Sequence, residues 1–142
     1  MKQKEQNLAK TIAIYLQAKK DFEDSLDFRF DVGADVKLTI GQAKKLKALQ
    51  GEERGFPDLT VFLKNGKTIF FELKKDKSEV YKKNGEFKEN KHILEQRKRH
   101  ERLKRLGYNT FFIWNFKQFR EILSNLETNL RWLLEEIWKD LF

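Results

Sequence analysis

The sequence predicts a mixed α/β fold, a β-sheet flanked by helices, built as a single domain over residues 1–142. Three observations predict it. Helical and strand periodicities alternate along the chain. One internal hairpin has a wholly apolar face and a face carrying charge. The 39% hydrophobic content, with 13 phenylalanines, is enough to fill one core at this length.

Residues 3–22 read as a helix with Leu8, Ile12, Tyr15 and Leu16 on one stripe. Glu5 shares that line, where a carboxylate needs a partner, a cation or exposure at the helix end. Phe28-Arg29-Phe30-Asp31-Val32 alternates as a strand does, and Val36 to Thr39 continues it after Gly33. Gly41 to Leu49 reads as a short basic helix, with Ala43, Leu46 and Leu49 on its apolar side.

The hairpin comes next. Asn65-Gly66 invites a two-residue turn, but that register pairs Asp58 with Leu73 and mixes polar and apolar side chains on both faces. A three-residue turn over Lys64-Asn65-Gly66, with Gly66 left-handed, pairs Asp58 with Glu72. One face is then Leu59, Val61, Leu63, Ile69, Phe71 and Leu73; the other is Asp58, Thr60, Phe62, Thr68, Phe70, Glu72 and Lys74. Register follows the pairing that buries a clean face, so the second is predicted.

Residues 75–90 are polar and aperiodic and read as a long mobile loop, of the kind more often functional than idle. A helix over 91–106 follows, ended by Gly107, with His92, Gln96, His100 and Leu103 on its inward face. Tyr108 to Trp114 reads as a buried strand. Two helices close the chain, about 116–124 and 127–141, the last carrying Leu130, Leu133, Leu134, Ile137, Trp138 and Leu141. The order αββαββαβαα results.

Composition narrows the chemistry. Cysteine is absent, which excludes disulfides and thiolate metal sites and makes an intracellular, cytoplasmic setting the expectation. No apolar run is long enough to span a bilayer, and no signal-peptide pattern opens the chain. The net charge of +8 is concentrated between Lys74 and Arg105, which holds 13 Lys and Arg against 6 Asp and Glu. Such a surface attracts a polyanion through phosphate contacts and counterion release. Lys82, Lys83, Arg97, Arg99, Arg102 and Arg105 are the candidate DNA contacts.

The chemistry-bearing cluster is Gly55-Phe56-Pro57-Asp58 with Glu72-Leu73-Lys74. Pro57, the sole proline, stiffens the entry to the strand where Asp58 must be placed. Glu72 and Lys74, two apart on a strand, project from one face. Taken singly, Asp58 reads as a cap and Glu72–Lys74 as a strand-end ion pair. Taken together, two carboxylates and a lysine suit metal-assisted cleavage of a phosphodiester.

Pro57-Asp58 followed by Glu72-Leu73-Lys74 resembles the PD-(D/E)xK nuclease superfamily. A small basic helix leading into Gly55-Phe56-Pro57-Asp58, then Gln96, Leu103 and Gly107, resembles its VRR-NUC (virus-type replication-repair nuclease) branch. The resemblance covers roughly residues 5–114 and leaves 115–142 as a helical extension. Two departures stand out: the long segment 75–90, and Ile93-Leu94-Glu95 without the serine often found before the glutamine.

The resemblance implies a restriction-endonuclease-like α/β core of αβββαβ type with extra C-terminal helices. It implies a metal-dependent endodeoxyribonuclease, with Asp58, Glu72, Lys74 and Gln96 catalytic. Asp58, Glu72 and the Leu73 carbonyl would hold the metal, with Glu5 matching an acidic residue of the family's first helix. Oxygen ligands without cysteine point to Mg²⁺ or Mn²⁺ rather than zinc. His92 and His100, four apart on one helix, lack a third ligand and are read as DNA-contacting or packing residues. The expected substrate is branched DNA, a Holliday junction or flap, cut by a homodimer because two symmetric cuts need two sites. The competing readings are a non-catalytic DNA-binding or assembly subunit and a sequence-specific restriction-type nuclease.

Overall fold

The computed structural model describes residues 3–31, 37–51 and 55–141. The chain runs α1 (Gln3–Glu23), β1 (Leu26–Phe30), α2 (Ile40–Gln50), β2 (Leu59–Leu63), β3 (Thr68–Leu73), α3 (Lys91–Arg105), β4 (Asn109–Ile113) and α4 (Phe116–Leu141). The four strands form one mixed sheet in chain order, β1-β2-β3-β4. β1 and β2 pair antiparallel, as do β2 and β3, and β4 joins β3 in parallel after crossing through α3. The predicted mixed sheet flanked by helices is the observed architecture.

The hairpin takes the three-residue register. Leu59 stands opposite Phe71 and Val61 opposite Ile69, while Leu63 N–H donates to the Lys67 carbonyl across the turn at 2.7 Å. Gly66 has φ +74°, the left-handed conformation that a Cβ resists. Every residue of the predicted apolar face, Leu59, Val61, Leu63, Ile69, Phe71 and Leu73, is buried. α1 and α4 cover that face. Leu8, Ile12 and Leu16 from one and Phe119 and Leu123 from the other complete the main core. Lys19 on α1 pairs with Glu127 on α4 at 2.9 Å, tying the two helices together.

The opposite face is covered by α3. Ile93, Gln96, His100 and Leu103 are its buried residues, following the predicted periodicity. Asn90 caps this helix by accepting from the Ile93 amide at 3.0 Å. β4 is an edge strand, and Trp114 N–H donates to Gln118 Oε1 at 2.9 Å while Gln118 Nε2 donates to the Phe112 carbonyl at 3.4 Å. The amide of Gln118 thus takes the place of a neighbouring strand there.

Four expectations change. Residues 116–141 form a single helix, since the stretch has neither glycine nor proline and Phe116, Phe119, Leu123 and Leu126 keep one apolar phase through the expected break. Lys37 and Leu38 are not strand, and Thr39 is instead the N-cap of α2, accepting from Gln42 N–H at 3.2 Å. Gly33 and Val36 lie outside the described residues. α2 buries none of its residues, and Leu49 is 86% exposed, so its apolar side meets nothing in the described chain.

The fourth is the segment 75–90, which is folded rather than loose. Tyr81 and Phe87 form an antiparallel bridge with their rings 4.8 Å apart, Lys88 N–H donates to the Val80 carbonyl at 2.8 Å, and Val80 is fully buried. Of the expected terminal stripe, Trp138 is exposed; the side chains of Leu130, Leu133, Leu134, Ile137 and Leu141, and Trp132 and Phe142 with them, lie outside the described residues. No described helix is long and apolar enough to cross a membrane.

Candidate active site

Strand register brings the carboxylates together. With Leu59 opposite Phe71, Asp58 falls opposite Glu72 at the next step of the ladder. Pro57 is fully buried at the entrance to β2 and fixes the approach. Asp58 Oδ2 accepts from the Leu73 amide at 2.8 Å, so the neighbouring strand's backbone orients the carboxylate. Lys74 N–H donates to the Ile113 carbonyl at 2.8 Å, which prolongs the parallel pairing with β4 past Leu73. That extension carries the Lys74 side chain to the same end of the sheet as Glu72.

The site is dry. Glu72 is 4% exposed and Lys74 5% exposed. Burial, and then the charge of Asp58, pushes the Glu72 carboxyl well above its ordinary range, against the pull of Lys74. Burial likewise raises Asp58, opposed by the Leu73 amide and the Lys74 ammonium. One buried and one half-buried carboxylate face one lysine. Either one carboxyl keeps a proton or a second positive charge must arrive.

Gln96 comes from α3 to the same spot. Its Nε2 donates to Glu72 Oε1 at 2.6 Å and lies 3.1 Å from His92 Nε2. Glu72 Oε2 and Gln96 Oε1 remain buried without a protein partner. A buried carboxylate oxygen left so is a strong acceptor awaiting a proton or a cation. Together with the charge imbalance, it shows that Asp58 and Glu72 suit a hard divalent cation. Among the described residues no group of three or more His, Asp or Glu side chains gathers for a metal, so the pair works with backbone and water oxygens or not at all.

The remaining expected residues are spread around this centre. Glu5 is half-buried on the first turn of α1, on the line of Leu8, Ile12 and Leu16. The basic residues do not form one patch. Arg97 lies over the Phe87 ring at 4.2 Å and Arg99 over Phe56 at 5.6 Å, on opposite flanks of α3. Arg102 and Arg105 are exposed farther along the helix, and Lys82, 3.9 Å from Glu89, is exposed with Lys83 on the bridged segment.

Three residues make contacts that the sequence did not indicate. Asp31 follows β1, and the pairing of Phe30 with Leu59 sets it opposite Asp58; its N–H donates to the Asp58 carbonyl at 2.7 Å and its charge adds to the rise of the Asp58 pKa. Gly55 stands against α3: a Cβ there would lie 2.9 Å from the Glu95 carbonyl carbon and 3.0 Å from Gln96 Cα. Its φ of +86° also disfavours any other residue. His92, read as packing or DNA contact, touches Gln96 instead. The sequence marks Gly55 in the Gly-x-Pro-Asp motif and His92 on the stripe of Gln96, but not the contacts that these residues and Asp31 make with other elements.

No protein-family model matches the chain, and no curated protein does. Among solved structures it is similar to one titled "VRR_NUC domain", with 29% identity over 85% of this chain and 95% of that one, at a TM-score of 0.47.

Proposed function

We propose that this protein is a divalent-metal-dependent nuclease that hydrolyses phosphodiester bonds in DNA. The observation that carries the reading is the pair of half-buried Asp58 and buried Glu72, opposite each other on adjacent strands, with buried Lys74 beside them and Glu72 Oε2 unpartnered. Asp58, Glu72 and the Leu73 carbonyl are the groups to hold Mg²⁺ or Mn²⁺. When bound, such an ion lowers the pKa of water and offsets charge on the phosphoryl oxygen.

The protein's own groups do the rest. The Leu73 amide and Gln96 each fix one carboxylate oxygen, leaving the other oxygens of Asp58 and Glu72 aimed without rotamer freedom. Gln96 Oε1 is free to accept from the attacking water, while its amide nitrogen positions Glu72. Lys74 brings a desolvated ammonium to where negative charge grows on the phosphorus oxygens.

Branched DNA, a flap or Holliday junction, is the substrate class we favour. Arg97 and Arg99, on opposite flanks of α3, are the cations we assign to phosphates rather than base edges, a mode that selects shape over sequence. Paired cuts across a junction require two copies of the site, hence a homodimer. Supercoiled plasmid with and without Mg²⁺ or Mn²⁺ tests the nuclease reading: metal-dependent nicking by wild type, none by Asp58→Ala. A panel of junction, flap, splayed-arm and linear duplexes tests the substrate class, and equal rates on all of them would remove the structural selectivity.

A further inference from the structure

A groove of about 620 Å³ lies along the outer edge of β4, between α3 and the start of α4. Its volume falls within the range of about 300–1,000 Å³ typical of small-ligand sites. Tyr81, Phe87, Phe112 and Trp114 line it with half-buried rings, and the charged lining is Arg97, Lys104 and Glu101, the last 3.9 Å from Arg97.

Two polar atoms in its lining have no partner. His100 Nε2 and Thr110 Oγ1 are buried and unbonded, on residues that are each 4% exposed. Buried polar atoms are nearly always paired, so two orphans beside one groove ask for a ligand with both apolar faces and hydrogen-bonding edges. His100 stacks on Phe112 at 4.4 Å and 14°, which holds its ring edge fixed.

An added strand does not suit this edge. Gln118 already occupies the outward Phe112 carbonyl and Trp114 amide, the groups a second chain would need. Arg97 and Lys104 against Glu101 leave the walls with a surplus of one positive charge, which disfavours a cationic occupant. The groove also adjoins the candidate active site. His100 is four residues, about 6 Å of helical rise, from Gln96, which holds Glu72.

We infer that the groove receives an unpaired nucleobase of the DNA strand being cut, stacked against the rings near Trp114 and hydrogen-bonded through His100 and Thr110. The inference rests on the nuclease reading and names the substrate feature that this site selects: a nucleotide free of its partner strand, as at a flap or junction. Base stacking on aromatic side chains supplies affinity without sequence preference, because every base has a π-face.

The test compares a short single-stranded oligonucleotide with its fully abasic counterpart, which keeps every phosphate and lacks every base. Binding is measured in EDTA by anisotropy. Wild type is expected to favour the base-bearing strand about tenfold. Trp114→Leu brings the ratio close to one, and Trp114→Phe restores it. Tyr81→Leu, on the bridged segment outside the sheet, provides a second variant should Trp114→Leu lose its melting transition. Equal wild-type affinity for the two strands overturns the inference, as does an unchanged ratio in both folded leucine variants. A wild-type mass that doubles with concentration and stays single in Trp114→Leu assigns the groove to a second copy and overturns it too. Plasmid nicking in Mg²⁺ is scored in parallel on wild type. Nicking without base preference defeats this inference alone, and base preference without nicking defeats the nuclease reading alone.

Discussion

Gln96 donates to Glu72 across 2.6 Å, so the middle of α3 is bonded directly to the end of β3. Only one oxygen of Glu72 is engaged, and the other stays buried and open. Removing the donor frees the carboxylate to rotate. Gln96→Ala is expected to lower cleavage about 10- to 100-fold, the usual loss when a group orienting a metal ligand is removed. DNA affinity stays near wild type, because it rests on many phosphate contacts. Full cleavage by a folded Gln96→Ala protein would show that Glu72 needs no such anchor.

Gly55 holds α3 in place for that bond. Alanine there meets the backbone of Glu95 and Gln96 at 2.9 to 3.0 Å and also inherits a φ of +86°. The backbone of α3 cannot yield without moving Gln96. Gly55→Ala is expected to cost roughly 1–3 kcal/mol of stability and to reduce cleavage with it. Gly41→Ala, on α2 with nothing within 4 Å, is the control and gains up to about 1 kcal/mol. Thermal melts of the two variants side by side give the comparison, and equal melting temperatures would refute the close-contact account.

How much of this was legible in the sequence depends on the range of the contact. The hairpin register could be read because six apolar residues fall on one face only if Asp58 meets Glu72. Gln96 could be placed inward because it shares a helical stripe with Ile93, His100 and Leu103. Gly55 could not, since its neighbour is α3, some 40 residues later in the chain. Asp31 depended on the pairing of β1 with β2, which no local pattern specifies. The segment 75–90 looked loose because its order comes from Tyr81, Phe87 and Trp114 meeting across sequence, not from periodicity. The expected break between 124 and 127 does not occur, because the apolar stripe of Phe119, Leu123 and Leu126 runs through it.

The buried carboxylates set one pH dependence. Glu72 has a folded-state pKa well above its ordinary 4.5, from burial and then from Asp58. A raised carboxyl favours the folded state while protonated, so its contribution is complete below about 4.5 and is lost as pH rises through the folded value. Glu72→Gln keeps an acceptor for Gln96 and removes the charge. In EDTA, the melting temperature of Glu72→Gln is expected to exceed that of wild type increasingly from pH 5 to pH 8. Parallel curves over that range would contradict the strained pair.

His100 sets an opposite dependence. Burial, then the charges of Lys104 and Lys74, lowers its pKa from 6.5 to about 4. A depressed histidine stabilises the fold above the unfolded value of 6.5, and that stability is lost as pH falls toward about 4. Between pH 6.5 and 4, wild type is therefore expected to lose stability that His100→Gln, which does not titrate, retains. Urea melts at both ends of the window measure it, and equal losses in the two proteins would place the acid sensitivity elsewhere.

Lys74 provides the most direct test of the central claim. It sits 5% exposed beside buried Glu72 and half-buried Asp58, so its ammonium has a chemical role or a merely structural one. Lys74→Ala, Lys74→Met and wild type are incubated with labelled junction DNA in Mn²⁺, and single-turnover cleavage is followed with binding measured in EDTA. The account predicts binding within a few-fold of wild type and a cleavage rate reduced by at least about 100-fold in both variants, the loss typical of a removed charge stabiliser. Wild-type cleavage by either variant would contradict the assignment of this site.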